Sequence, residues 1–212
     1  MNTVLVACAW TVVGAAAGWF VRWGSVKLAR LEELEPGNKR WQNYGPPILS
    51  ALLFAAFALI IPTFPILVLE SVFILVLVQV IFFDFEHRLI LDRVMFPAMA
   101  LALVASLFKN PWWAGMVTGV AAGLLFLLLA LAGAAIFKGD ALGFGDVKLA
   151  AFMGFLLPGL PIVQALFYGV FIAGVVSVGV IVWRRSMKGT IAYGPYLAAG
   201  TLITLFLLNR PQ

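Results

Sequence analysis

Two aspartates stand out because each lies beside an apolar segment, where a carboxyl group is costly to desolvate. Asp84 follows the apolar stretch 64–83, and Asp146 precedes the apolar stretch 147–158. If helix packing brings the two carboxyls to about 3 Å, they cannot both ionise easily and would share one proton. The ionised carboxyl could then take a proton from water while the neutral one polarises a peptide carbonyl. This is the chemistry of an aspartic protease.

Each aspartate also has a plainer explanation. Two glycines precede Asp146 in the order Gly-Phe-Gly-Asp, and glycines there would let backbone and substrate approach closely. The same short pattern arises when an aspartate merely caps a helix N-terminus. Asp84 could be a helix-end carboxylate paired with Arg88 or Arg93. Taken singly, neither motif distinguishes catalysis from structure.

The elements that carry these acids are predicted to be membrane-embedded helices. Of the 212 residues, 64% are hydrophobic and 11% are charged, and the mean hydropathy is +1.08. A water-soluble globule of this composition would have too few polar residues to cover its surface, and a bilayer core about 30 Å thick takes roughly 20 apolar residues per helix. We therefore predict one all-α membrane domain over 1–212, a bundle of about eight transmembrane helices. Their expected ranges are 3–23, 47–62, 64–83, 94–108, 112–137, 147–158, 161–183 and 192–209.

The basic residues predict how this bundle is oriented. With eight spans, only Lys109 and Arg210 of the 14 lysines and arginines fall on one side of the membrane. The positive-inside rule makes the other side cytoplasmic. Both termini should then lie outside, and a polar loop at about 24–45 should lie in the cytoplasm together with Asp84 and Asp146.

Composition also argues against several other function classes. The net charge of +5 is scattered between apolar runs and forms no basic face, which argues against nucleic acid as a partner. Cys8 is the only cysteine and His87 the only histidine, so the chain has no internal disulfide and no zinc-type ligand set. We expect no metal and no cofactor.

Three segments of the chain resemble the signatures of the type IV prepilin peptidase family, the GxGD class of intramembrane aspartic proteases. They match in residues, order and spacing, and they cover 84–92, 143–151 and 191–198. The resemblance extends over nearly the whole chain. It implies an aspartic endopeptidase of the cell inner membrane that cleaves the basic leader of prepilins or pseudopilins at the cytoplasmic face. Catalysis would fall to Asp84 and Asp146. The supporting motif positions would be Gly143, Gly145, Lys148, Asp92, Gly194 and Pro195.

Two departures from the family pattern limit what the resemblance implies. The family usually has Ile-Pro-Asp where this chain has Ile90-Leu91-Asp92, a change that could alter the local turn. Bifunctional members also carry a cytoplasmic region after the first helix, often with paired CxxC zinc motifs, that N-methylates the cleaved product. This chain has only its short loop there, without cysteine. We therefore expect peptidase activity without methyltransferase activity, and no requirement for zinc or S-adenosylmethionine.

The remaining acids are interpreted as structural. Glu86, Asp92 and Asp140 are expected to be solvated loop charges, with binding of a basic leader as the alternative for the first two. Glu70 should face the interior of the bundle, and His87 should lie in a loop without a catalytic role. Two other function classes remain open: a small transporter that handles protons or cations, and an inactive assembly factor for pilus or secretion machinery.

Overall fold

The computed structural model of the protein describes residues 3–137, 143–184 and 192–210, and all regular structure in these ranges is helical. The all-α class is therefore confirmed, and each predicted segment overlaps one helix. The eight helices of the described residues are α1 (Thr3–Leu31), α2 (Arg40–Ile60), α3 (Phe64–His87), α4 (Asp92–Leu107), α5 (Ala114–Phe137), α6 (Phe144–Leu156), α7 (Leu160–Arg184) and α8 (Gly194–Leu208).

Not all of these helices are long enough to cross a bilayer. Five of the described helices, α1, α2, α3, α5 and α7, have the length and apolar composition of membrane spans. Helices α4, α6 and α8 have 16, 13 and 15 residues. At about 1.5 Å per residue they measure roughly 20–24 Å, less than a bilayer core of about 30 Å. The polytopic membrane class is confirmed, whereas the count of eight spans remains a prediction.

The connection between α1 and α2 is much shorter than the predicted loop at 24–45. Helix α1 continues to Leu31 and α2 begins at Arg40, so the connection covers only 32–39. The loop prediction was wrong at both ends because it relied on polarity, and polar residues do not by themselves end a helix. The helix ends where the backbone becomes left-handed at Glu33, and the Pro36-Gly37 pair then disfavours helix within the connection.

The end of α1 is a Schellman motif, in which the chain reverses through a left-handed residue. The Leu34 N–H bonds to the Ala29 carbonyl at 2.8 Å, and the Glu33 N–H bonds to the Arg30 carbonyl at 3.3 Å. Glu33 has φ 57°. This conformation costs an L-residue roughly 1–2 kcal/mol, and glycine is the usual occupant.

Glu33→Gly should therefore raise the free energy of unfolding by about 1 kcal/mol, since glycine reaches positive φ without the steric cost. Thermal unfolding in mild detergent would measure this change. Glu35→Gly is the matched control, because it removes the same charge from the same connection at a position without positive φ. Equal effects of the two substitutions would contradict the explanation.

Residue contacts divide the chain into two compact units, Met1–Arg88 with Leu205–Gln212, and Leu89–Thr204. In the first unit, α1 packs on α2 through small residues. A Cβ atom at Gly14 would lie 2.7 Å from the Ser50 carbonyl oxygen, and one at Gly18 would lie 2.6 Å from the Cα of Pro47. Small residues thus let the two helix backbones approach closely, as is common in membranes. The expected single domain remains a prediction.

In the second unit, α6 is held tightly against α5, and all residues from Leu149 to Leu156 are buried. A Cβ atom at Gly154 would lie 2.6 Å from the Cα of Gly119, and the Thr118 hydroxyl donates a hydrogen bond of 2.7 Å to the Gly154 carbonyl. The glycines of α5 therefore serve packing, and they fix the helix that begins next to Asp146.

Candidate active site

Asp84 lies in the last turn of α3, at the helix end where the sequence placed it. Its surface is only 5% exposed. The helix ends at Arg88, which has a left-handed backbone and donates its N–H to the Asp84 carbonyl at 2.9 Å. The carboxyl group is thus carried by a buried helix end, a position that an ionisable residue seldom occupies without a task.

Two neighbours of Asp84 were misplaced by sequence reasoning. Glu86 and His87 belong to α3 and not to a loop. Glu86 is not solvated, since its side chain is 6% exposed and accepts a hydrogen bond of 2.9 Å from Arg22. The ring of His87 packs 4.7 Å from that of Phe83. The prediction failed because it ended α3 at residue 83, before the charged cluster, although the helix continues for one more turn to His87.

Glu70 was expected to face the bundle, and it is buried in α3. Asp140 lies outside the described residues. Within 3–137, 143–184 and 192–210, no group of three or more His, Cys, Asp or Glu side chains is placed to hold a metal ion.

Asp146 lies in the first turn of α6. Gly143 is the N-cap residue, Phe144 is the first helical residue, and the Asp146 N–H bonds to the Gly143 carbonyl at 3.0 Å. Asp146 is therefore the third helical residue and not the N-cap. It is not the cap that the Gly-Phe-Gly-Asp pattern could have supplied, although its carboxyl accepts a hydrogen bond from the Gly143 backbone, as the third residue of a helix can.

Burial makes the charged form of Asp146 costly. It raises the pKa of this carboxyl from 3.8 to about 6, against an opposing effect of a hydrogen bond from the Gly143 backbone. The group precedes the apolar stretch that begins at Val147. At pH values near neutrality, Asp146 can thus exchange a proton more readily than an ordinary aspartate.

The raised pKa has a consequence for stability. The folded-state pKa of Asp146 exceeds the unfolded value of 3.8, so the folded protein binds the proton more tightly than the unfolded chain. The contribution of this proton to the free energy of unfolding is fully present below pH 3.8 and is lost as pH rises through about 6. Asp146→Asn removes this penalty, so it should stabilise the protein by about 1–3 kcal/mol at pH 8 and by much less at pH 4. Thermal unfolding at the two pH values would measure it. Asp92→Asn is the control, and a loss of stability at pH 8 in Asp146→Asn would contradict the prediction.

The start of α6 packs against the segment that leads into α4. A Cβ atom at Gly145 would lie 2.9 Å from the Cβ of Ile90, so only glycine fits there without displacing its neighbour. Lys148 pairs with Asp92 at 2.5 Å, and its ammonium group lies 5.2 Å from the centre of the Phe96 ring. These contacts bring four of the predicted motif residues of this unit, Gly143, Gly145, Lys148 and Asp92, to one end of the unit.

Asp92 was expected to be a solvated charge, and Leu91 to be a departure that could alter the local turn. The side chain of Asp92 is 54% exposed, as predicted for a solvated charge, but it is also paired with Lys148. Leu91, which stands where the family has proline, has φ −71°, a value that proline itself adopts. The departure from the family pattern therefore leaves the local turn compatible with the usual residue.

Gly194 and Pro195 form the first turn of α8, where proline is well tolerated because its missing N–H has no helical partner to lose. Both residues are buried. The predicted last segment, 192–209, thus begins its helix at this Gly-Pro pair.

Comparison with known proteins connects these positions to one family. Residues 71–178 match the model of the type IV leader peptidase family, a range that includes Asp84 and Asp146. The chain is also similar to the prepilin leader peptidase/N-methyltransferase of Bacillus subtilis (strain 168), with 34% identity over 164 residues, which cover 74% of this chain and 62% of that protein. No solved structure is significantly similar to the chain. The match over half of its length shows that the chain belongs to the type IV leader peptidase family.

Proposed function

We propose that this chain is a membrane aspartic endopeptidase that removes the N-terminal leader from type IV prepilins or pseudopilin-like proteins. The observation that carries the proposal is the family match over 71–178, because that range contains both Asp84 and Asp146. The similar protein of Bacillus subtilis has leader peptidase as part of its name. We assign the catalytic roles to the two aspartates.

The proposed reaction is hydrolysis of one peptide bond without a metal or cofactor. The ionised carboxyl takes a proton from water, and the resulting hydroxide attacks the carbonyl carbon while the protonated carboxyl polarises the carbonyl oxygen. The tetrahedral intermediate then collapses, the C–N bond breaks, and the leaving amine receives a proton from the pair. One proton shared by two carboxyls is restored at the end of the cycle.

The substrate class follows from the family and from the charge pattern of the chain. We place the site at the cytoplasmic face of the inner membrane, where the positive-inside rule puts Asp84 and Asp146. A prepilin would present a short basic leader at that face and keep its apolar helix in the lipid. Membrane lipid is thus part of the environment of the reaction.

The proposal covers the peptidase reaction alone. The Bacillus subtilis protein is also named an N-methyltransferase, but this chain spans only 62% of its length. The connection between α1 and α2, at which bifunctional members carry their methylating region, is confined here to 32–39.

The test is cleavage by the purified protein in lipid. The substrate would carry a Lys/Arg-rich leader, a glycine before the cleavage site and an apolar helix, and mass spectrometry would identify the new N-terminus. We expect one cut immediately before the apolar helix. A substrate lacking the apolar helix serves as a control and should be cut poorly. Absence of cleavage across several such substrates would contradict the proposal and favour a transporter or an inactive assembly factor.

A further inference from the structure

A buried polar cluster ties three parts of the first unit together close to Asp84. Arg22 of α1 donates from Nη1 to the Glu86 carboxylate of α3 at 2.9 Å and from Nη2 to the Gly37 carbonyl in the connection. Gly37 in turn donates its N–H to the other oxygen of Glu86. The Arg22 Nε donates to the Asn43 side chain at 3.1 Å. We call Arg22, Glu86 and Gly37 the Arg22 clamp.

The two charged members of the clamp are extensively hydrogen-bonded within the protein. Both oxygens of Glu86 accept a hydrogen bond, and Arg22 donates from all three of its nitrogen atoms. The two side chains are 10% and 6% exposed. A buried pair of this kind is rigid, because each charge would be strongly destabilised if it left its partner. Glu86 is therefore buried and engaged within the protein, which leaves it poorly placed to bind the basic leader of a substrate.

The clamp acts on the end of α3. Glu86 lies in the same last helical turn as Asp84, where the final backbone carbonyls of a helix lack intrahelical donors and the end tends to fray. By fixing Glu86 to α1 and to the connection, the clamp restricts both fraying and rotation of this turn. Catalytic groups must be held within about 0.5 Å and 10–20° of their working geometry.

We propose that the Arg22 clamp positions Asp84 for catalysis, a role that rests on the proposed peptidase function. Arg22 and Glu86 are positioning residues, which act through the last turn of α3 and do not contact the substrate. The connection 32–39 takes part through the backbone of Gly37, so this short segment is a component of the catalytic apparatus.

The main test is the double variant Arg22→Met/Glu86→Met, assayed for cleavage by the full-length protein in lipid. It removes both charges together, so no unpaired buried charge remains to unfold the chain. We expect kcat to fall about 10- to 100-fold, as for a misplacement of roughly 1 Å, while KM changes less than about threefold. Arg22→Lys keeps the charge but cannot make all three hydrogen bonds, and it should give an intermediate kcat.

The matched control is Ser71→Ala, which removes another hydrogen bond between α1 and α3. The Trp10 Nε1 donates to the Ser71 hydroxyl at 2.9 Å, 13 residues before Asp84 and so about 20 Å away along α3. This variant should keep the wild-type kcat, even if its melting temperature falls. A role of the clamp in stability alone would make the double variant behave in the same way.

The outcomes separate this inference from the proposed function. If the wild-type protein does not cleave, the proposed function fails, and the clamp with it. If the wild-type protein cleaves and the double variant keeps its kcat, the clamp does not position Asp84. A higher KM with unchanged kcat would instead make Glu86 a substrate-binding residue. If the double variant fails to fold, the kcat of Arg22→Lys and of Glu86→Gln decides in its place, and wild-type values in both would overturn the inference.

Discussion

Asp84→Asn and Asp146→Asn are each expected to lower kcat for leader cleavage by at least about a thousandfold. A carboxamide has nearly the shape of a carboxyl group but neither takes a proton from water nor supplies one to the substrate, and a positioned acid or base contributes about 10²–10⁴-fold to rate. Single-turnover cleavage of a prepilin-like substrate, with product identified by mass spectrometry, would measure the loss. In the proposed mechanism the two groups act as one unit, so the double variant should be no worse than either single variant.

Glu70→Gln is the matched control for this prediction. It makes the same type of change in another buried acid of α3, and cleavage should remain within about threefold of wild type, since Glu70 has no assigned role in the reaction. Asp146→Asn adds an internal check, because it should be at least as stable as the wild-type protein at pH 8. Cleavage retained in either aspartate variant would remove that residue from the mechanism.

Gly145→Ala should reduce kcat for leader cleavage by about 10- to 100-fold. The added Cβ would lie 2.9 Å from the Cβ of Ile90. Neither atom is the free end of a flexible side chain, so the backbone next to Asp146 has to move. A displacement of roughly 1 Å at a catalytic group costs about a hundredfold in rate. The measurement is kcat for leader cleavage.

Gly143→Ala provides the comparison, since the two glycines flank the same phenylalanine. Among the residues that the structure describes, a Cβ atom at Gly143 would meet nothing closer than 3.8 Å, and its φ of −72° suits any residue. This variant should cleave within about threefold of wild type. Equal losses in both variants would mean that the glycines are needed for flexibility or substrate approach and not for the contact with Ile90.

The sequence was informative where one physical signal dominates. Long apolar runs must be helical in a membrane because their backbone groups have no water to bond, so the existence and order of the helices could be predicted. Polar helix ends gave no comparable signal. The end of α1 depends on the left-handed backbone of Glu33, a residue type that is not favoured there, and the end of α3 lies beyond the charges that were expected to stop it.

The candidate site was predictable only in part, because a local sequence signal marks the two aspartates but not the partners of their neighbours. Asp84 and Asp146 could be singled out as candidates because a carboxyl group beside an apolar segment is unusual. The partners of the neighbouring acids could not be identified, since Arg22 and Glu86 are 64 residues apart and Asp92 and Lys148 are 56 apart. A basic residue near the end of an apolar run looks like a marker of membrane orientation, and only the packing of α1 on α3 shows that Arg22 is instead a buried partner.

The burial of α6 has a consequence for how the bilayer can influence Asp146. From Leu149 to Leu156 this helix exposes no residue, and within its unit it packs against α4 and α5. Acyl chains therefore have no direct access to that stretch of the element that carries Asp146. Changes in bilayer thickness or fluidity act first on helices with lipid-facing surfaces, which adjust by tilting. Such changes can reach Asp146 through α6 only after its neighbours have moved, so α6 is insulated from variation in lipid composition.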